Sequence, residues 1–302
     1  MEADKSVKAN LPLSTRPEVA TKLLPYHRTL KLAARIALNM GVYAGALLFI
    51  VPFYWMVTTS VKTSAQLFVF PPALIPNPVE LHHYAQALET VPLARYFANT
   101  VYLTGLNLAG TLISCTLVAF AFARYEVPGS RLWFGLLLAT MMLPYHVTMI
   151  PLFVAYSKVG WTNTFRPLWI EAFFGNAFYI FLLRQFFRTI PNELFDAGKI
   201  DGCSEFDLYQ RIMLPLAKPA LITVTIFQFQ HTWNEFLRPL IYINKQSMKP
   251  LSLGLQDFYA AYSVEWQQLM AASTLMVLPV VLLFFFLQRY FIEGIALTGL
   301  KG

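Results

Sequence analysis

Charge is scarce in this chain. Only 13% of its 302 residues are Asp, Glu, Lys or Arg, about half the roughly 25% usual for soluble domains. Cysteine is scarcer, with Cys115 and Cys203 alone. One falls in a long apolar run and the other in a polar island, so they are not expected to pair, and no metal-ligand spacing surrounds them. A phosphate-cradling G-x-x-x-x-G-K-[ST] loop is missing, which excludes ATP binding by that mechanism. No nucleophile–base pair or metal-ligand cluster stands out in the apolar runs, which argues against an intramembrane enzyme. A secretory signal is not expected either. The first 35 residues are polar, and the first apolar run is too long for a cleaved signal core.

Hydrophobic length is what the chain has instead. Hydrophobic residues make up 57% of it, and uncharged runs of 18 or more residues mark membrane-spanning helices. The pattern predicts an all-α membrane protein with six transmembrane helices over residues 36–61, 96–123, 132–157, 167–183, 219–243 and 269–288. Pro144 and Pro151 are expected to break the third. The fourth carries only Glu171, placed near the outer interface and not read as a site. The division is a basic cytoplasmic tail over 1–35 and a membrane domain over 36–302, with 1–24 read as disordered or peripheral.

Lys and Arg set the orientation. Seven lie in residues 1–35, Arg124 and Arg131 in the turn after the second span, five in residues 184–218, and Arg289 and Lys301 in the tail. With these inside, both termini are cytoplasmic. The same bias explains the net charge of +7 without nucleic acid, which would need a basic stripe on one soluble face. The outer segment holds Pro71, Pro72, Pro76 and Pro78, a stiff extended linker. A short interfacial helix is expected over 80–91, with His82 and His83 as a surface pair.

Residues 189–215 form a charged, punctuated island between two apolar runs. It reads as two short helices: Thr189 caps the first and Pro191 suits its first turn. Leu194, Ala197 and Gly198 share an apolar face. Gly202 stops the helix, Ser204 and Asp207 form a capping box, and Pro215 closes the second helix. The spacing resembles the cytoplasmic EAA loop of ABC-importer permeases: Glu-Ala-Ala, three residues, Gly, nine residues, Ile, one residue, Leu-Pro. Here Asp196-Ala197-Gly198, Gly202, Ile212 and Leu214-Pro215 stand at those places, with Asp for Glu and Gly for the second Ala. Pro191, Glu193, Leu194, Ile200 and Asp201 are similar to the sugar-importer version.

The likeness runs from about residue 52 to the end. It includes Asn99-Thr100, the run Ala119–Tyr125, Met142-Leu143-Pro144, Ile150-Pro151-Leu152, Phe181–Phe187, Trp233–Leu237, Gln288–Phe291 and Gly299–Gly302. This ordered series resembles the carbohydrate-importer permeases of the maltose permease type. The resemblance implies a binding-protein-dependent inner-membrane component, with no cofactor on this chain. It implies as partners a second permease subunit, two ATPase subunits that hold ATP and Mg, an external solute-binding protein, and the surrounding lipid. It makes Glu193, Asp196, Ala197, Gly198, Asp201, Gly202 and Pro215 the ATPase-coupling set, the small residues for close approach and the carboxylates for cations on the partner.

In the fifth span Gln228, His231, Glu235 and Arg238 recur at i, i+3, i+7 and i+10 on one helix face, with Asn234 at its border. Ionisable groups at membrane depth face a bundle interior or a water-filled path, so these five are the candidate substrate pathway. Glu235 is expected to pair with His231 and Arg238, and that pairing alone is also compatible with pure packing. Tyr145 and Trp233 are candidates for stacking on a sugar. A sugar or oligosaccharide is the expected substrate. A glycerol-phosphate importer is the alternative if Arg238 is free to bind phosphate. An ion-coupled secondary transporter with a His231–Glu235 relay is a second alternative, which leaves the EAA-like spacing unexplained and calls for an internal repeat that is not visible.

Overall fold

A computed structural model describes residues 19–126, 128–259 and 264–299. Residues 1–18 of the expected tail lie outside them, and from Val19 the chain is helical. Regular structure among the described residues is helical apart from one isolated bridge between Tyr259 and Val264. The chain divides into two compact units, residues 1–55 and 56–302. The described part of the first is residues 19–55 of the helix α1 (Val19–Ser60), which continues into the second; its stretch Ala34–Ser60 is long and apolar enough to cross a bilayer.

The second unit holds the remaining elements. After the proline-rich segment come α2 (His82–Thr90) and the long helix α3 (Leu93–Arg124). The expected third span is two helices, α4 (Ser130–Thr140) and α5 (Tyr145–Lys158), meeting at 92°. The bend falls before α5, where Pro144 takes an extended backbone. Pro151 sits inside α5 and does not end it, so only one of the two expected breaks occurs. The expected fourth span is also discontinuous. A short helix Arg166–Trp169 and a 3-10 turn Ile170–Phe174 lead to Gly175 and Asn176, and α6 (Ala177–Phe187) follows. Asn176 caps α6 by accepting from the amides of Phe178 and Tyr179.

Next come α7 (Glu193–Ile200) and the helical segment Glu205–Leu216, which turns by 78° into α8 (Lys218–Trp233). The expected fifth span stops at Trp233 and restarts as α9 (Leu237–Tyr242). Proline at position 239 clashes with the carbonyl four residues earlier in a continuous helix, so residue 235 cannot be a normal helical acceptor. The last helix, α10 (Trp266–Gly299), contains Pro279 without a break. Among the described residues three helices are long and apolar enough to span, or up to five if each bent pair is one span.

The main core lies at the end of α3 that leads to Arg124. There Cys115, Ala119 and Phe120 pack with Leu183 and Phe187 of α6, Phe195 of α7, and Leu208, Tyr209 and Met213. A second cluster joins α2, the start of α3, Trp233 and Ala271–Ala272 of α10. His83 is buried, against the expectation of a surface pair. Its Nε2 lies 3.1 Å from the Lys62 carbonyl and 3.2 Å from the Glu80 carboxylate, while His82 stays exposed.

Candidate functional site

The break between α8 and α9 builds a polar site. Glu235 folds back on the new helix, accepting from the amides of Leu237 (3.1 Å) and Arg238 (3.3 Å). These are orphan donors at a helix start, where a carboxylate is favoured. The His231 ring lies 3.7 Å from the other Glu235 oxygen. Arg238 does not pair with Glu235 as expected. Its guanidinium crosses to Glu171 at 3.2 Å and donates to the Pro167 carbonyl. Glu171 also accepts from the Tyr156 hydroxyl at 3.1 Å. The residue set aside as interfacial is therefore the counter-ion.

These groups line a cavity of about 440 Å³. Gln228, His231, Glu235 and Arg238 all face it, although the helix that should have aligned them is broken. The opposite wall is Asn107 and Thr111 of α3, Tyr145 of α5, Glu171 and Asn176. The Tyr145 hydroxyl oxygen is buried with no hydrogen-bond partner among the described residues. Asn234 turns away and lines an adjoining open cleft with Phe178, Phe227 and Gln230. Its side-chain amide donates to the Gln230 carbonyl at 2.9 Å. Trp233 is buried, stacks on Phe229 and donates to the Met276 carbonyl, so it has no face for a sugar. Asn107, Thr111 and Asn176 went unread in the sequence, although a polar pair four residues apart in an apolar helix and a Gly-Asn break in an apolar run were the available signals.

The segment over residues 189–215, the candidate coupling element, is built differently. In α7 the buried residues are Phe195 and Gly198, while Glu193, Leu194, Asp196, Ala197 and Ile200 face outward. The expected apolar face is thus split. Gly198 points inward, where an added Cβ would lie 2.7 Å from Leu208 and 2.9 Å from Ile212. Its smallness is required by packing within this chain. Leu194 is 44% exposed and Ile200 87% exposed, so an apolar stripe with Ala197 between them stands open beside the carboxylates of Glu193, Asp196 and Asp201.

Gly202 has φ +82°. The amides of Gly202 and Cys203 return to the carbonyls of Lys199 (3.1 Å) and Gly198 (2.9 Å), the double bond of a Schellman stop. Ser204 and Asp207 form the expected capping box. The Ser204 bonds hold the exposed Asp207 carboxyl below its ordinary range. Thr189 does not cap α7; its hydroxyl donates to the Phe186 carbonyl, and Asn192 holds the cap position. Nor does Pro215 close the second helix. The turn comes two residues later, at Ala217, after a π-helical stretch Leu208–Met213.

Among the described residues, one group of His, Cys, Asp and Glu side chains converges closely enough to hold a metal: Glu80, His82 and His83. The contacts of His83 with Glu80 and the Lys62 carbonyl account for that convergence by hydrogen bonding.

Residues 108–296 match the family described as the binding-protein-dependent transport system inner membrane component. The chain belongs to that family. Relatives agree along most of its length. A putative ABC transporter permease of Caldicellulosiruptor is 36% identical over 253 residues, 83% of this chain and 92% of the relative. The arabinooligosaccharides permease AraQ of Bacillus subtilis is 31% identical over 271 residues, 89% of this chain and 96% of the relative. The melibiose/raffinose/stachyose import permease MelC of the same organism is 30% identical over 257 residues, 83% and 91%. In a crystal structure of a bacterial ABC transporter for alginate import, one chain superposes with a TM-score of 0.76 at 22% identity, over 86% of this chain and 96% of that one; this likeness shows the shared fold. This family member is therefore an all-helical inner-membrane component of an ABC transporter, and a family built for binding-protein-dependent transport removes the ion-coupled alternative.

Proposed function

We propose that this chain is the permease subunit of an ABC importer that carries a neutral sugar or oligosaccharide across the cytoplasmic membrane. The carrying observation is the state of the cavity. Its one guanidinium is held by Glu171 and the Pro167 carbonyl, and a second carboxylate, Glu235, stands beside it. A phosphate would meet two carboxylates and a committed arginine. The Tyr145 hydroxyl, which has no partner among the described residues, and the neighbouring polar side chains of Thr111, Asn176 and Gln228 suit sugar hydroxyls, which donate and accept. The relatives named for arabinooligosaccharides and for melibiose, raffinose and stachyose support the same class. On this reading Gln228, His231, Glu235 and Arg238 bound the path, and Asn234 sits at its edge.

The α7 segment is the docking element for an ATPase subunit. ATP and Mg reside on two such subunits, and a second permease completes the path. An external solute-binding protein delivers the cargo, which fits a family named for binding-protein dependence. Six spans with both termini in the cytoplasm place α7 inside and the proline-rich segment outside. Cysteine labelling tests this: position 75 is expected to react from outside and position 201 from inside, and the reverse pattern overturns the orientation.

The substrate is tested in proteoliposomes with the full complex and its binding protein. Uptake of a neutral oligosaccharide, uninhibited by glycerol phosphate, is the expected result; uptake of glycerol phosphate without sugar overturns it. Docking is tested by Ile200→Asp, which alters an exposed side chain and leaves the fold of the permease intact. Loss of ATPase copurification is expected, and wild-type copurification with wild-type uptake removes the docking role.

A further inference from the structure

Arg124 is the last residue of α3. In the structure its guanidinium is spread over three acceptors on the neighbouring turn. One nitrogen donates to the carbonyls of Phe187 (2.7 Å) and Ile190 (2.9 Å), and the other to the Asn192 side-chain carbonyl. The plane lies 3.9 Å from the centre of the Phe195 ring. Phe187 ends α6, where carbonyls lack helical partners and a cation is favoured. Asn192 and Phe195 belong to the start of α7. One side chain thus joins the ends of α3, α6 and α7.

Arg184 of α6 makes the reciprocal contact. Its Nε donates to the Phe122 carbonyl in the last turn of α3 at 3.1 Å, over the Phe134 ring. Tyr125, next to Arg124, donates to Glu205, which also meets Lys199 of α7 at 3.4 Å. Meanwhile α3 carries Asn107 and Thr111 on the cavity wall. Thirteen residue steps along α3 lead from Thr111 to Arg124, a rigid lever of about 20 Å.

We infer that Arg124 is a positioning residue for coupling: it clasps α7 to α3, so that displacement of α7 reaches the cavity wall through α3 as well as through α8. This rests on the docking role proposed for α7. A lysine replaces it only in part, because its ammonium keeps the charge but does not reproduce the planar fork across three acceptors.

The test uses the assembled complex in proteoliposomes with Arg124→Lys and Arg124→Gln. ATPase copurification and basal hydrolysis are expected to stay near wild type. Binding-protein-stimulated hydrolysis and uptake are expected to fall by at least about tenfold in Arg124→Gln and by less in Arg124→Lys. A drop in the stimulated-to-basal ratio is the signature that a merely structural role does not give. An unchanged ratio overturns the inference, as does a loss of uptake that only follows loss of assembled complex. Ile200→Asp separates the two readings. If it leaves docking intact, the docking role itself fails. If it abolishes docking while Arg124→Gln remains coupled, the clasp alone is wrong.

Discussion

The cavity and the candidate coupling segment use the same side-chain chemistry in opposite ways. In the cavity, Glu171 and Arg238 face each other at 3.2 Å within a hydrophobic chain, backed by Tyr156 and the Pro167 carbonyl. In the coupling segment, Lys199 pairs with Glu205 at 3.4 Å and Arg211 with Asp207 at 3.1 Å on exposed surface. Distance does not separate them; surroundings do. At membrane depth a charge left without its partner is destabilising by several kcal/mol, whereas an exposed pair contributes at most about 1 kcal/mol. The cavity therefore has to satisfy its charges internally. The candidate coupling segment leaves the carboxylates of Glu193, Asp196 and Asp201 and the stripe of Leu194, Ala197 and Ile200 open.

The largest expected effect follows from breaking the cavity pair. Arg238→Ala leaves Glu171 with the Tyr156 hydroxyl but without its counter-ion, and the level of folded permease in the membrane should fall by an amount below the roughly 2.5–3.5 kcal/mol of an unpaired charge at the bilayer centre. Glu171→Ala added to Arg238→Ala should restore folded protein while uptake stays low. Rescue by Glu235→Ala instead of Glu171→Ala would show that the pairing runs within the α8–α9 segment, as the sequence alone suggested.

Next in size is the packing inside the coupling segment. Gly198→Val drives a side chain into Leu208 and Ile212 and should destabilise the segment by about 1–3 kcal/mol, seen as faster proteolysis between residues 189 and 215. Ala197→Val on the outer face should leave proteolysis unchanged. Equal sensitivity of the two would erase the distinction between the inward and outward faces of α7.

Gly202→Ala should be milder. An added Cβ meets no atom within 4 Å there, so only the left-handed backbone is penalised, by about 1 kcal/mol. A thermal shift of the purified complex larger than that of Gly198→Val would contradict this order.

The smallest effect belongs to the surface carboxylate. The Tyr125 hydroxyl, with Lys199 in support, holds the Glu205 carboxyl below its ordinary value, while burial and Glu205 push the Tyr125 phenol up to about 12. A depressed carboxyl contributes stability above its unfolded value and loses it as pH falls through the folded one. Melting of wild type and Tyr125→Phe should therefore differ by a small, constant amount at neutral pH and converge only below about pH 4. A difference that grows on acidification would reverse the sign assigned to Glu205.

Local rules made part of this protein legible in its sequence. Apolar runs without charge located α1, α3 and α10, because a bilayer demands length and hydrophobicity from one continuous segment. The Ser204–Asp207 box and the Gly202 stop were readable since each joins residues a few positions apart. Tertiary structure decided the rest. Whether Glu171 or Glu235 neutralises Arg238 depends on how the 166–174 turn lies against α9, a contact 67 residues apart in sequence. Gly198 faces inward because Leu208 and Ile212 fold back over α7, which periodicity cannot show when two faces are both partly apolar. His83 is buried by a carbonyl 21 residues away. Four of the five candidate pathway residues, Gln228, His231, Glu235 and Arg238, share a cavity although their helix is broken at Asn234, since α3, α5 and the Gly175–Asn176 break supply the facing wall. Sequence patterns report what each segment needs from its solvent, and only packing chooses which segment meets that need.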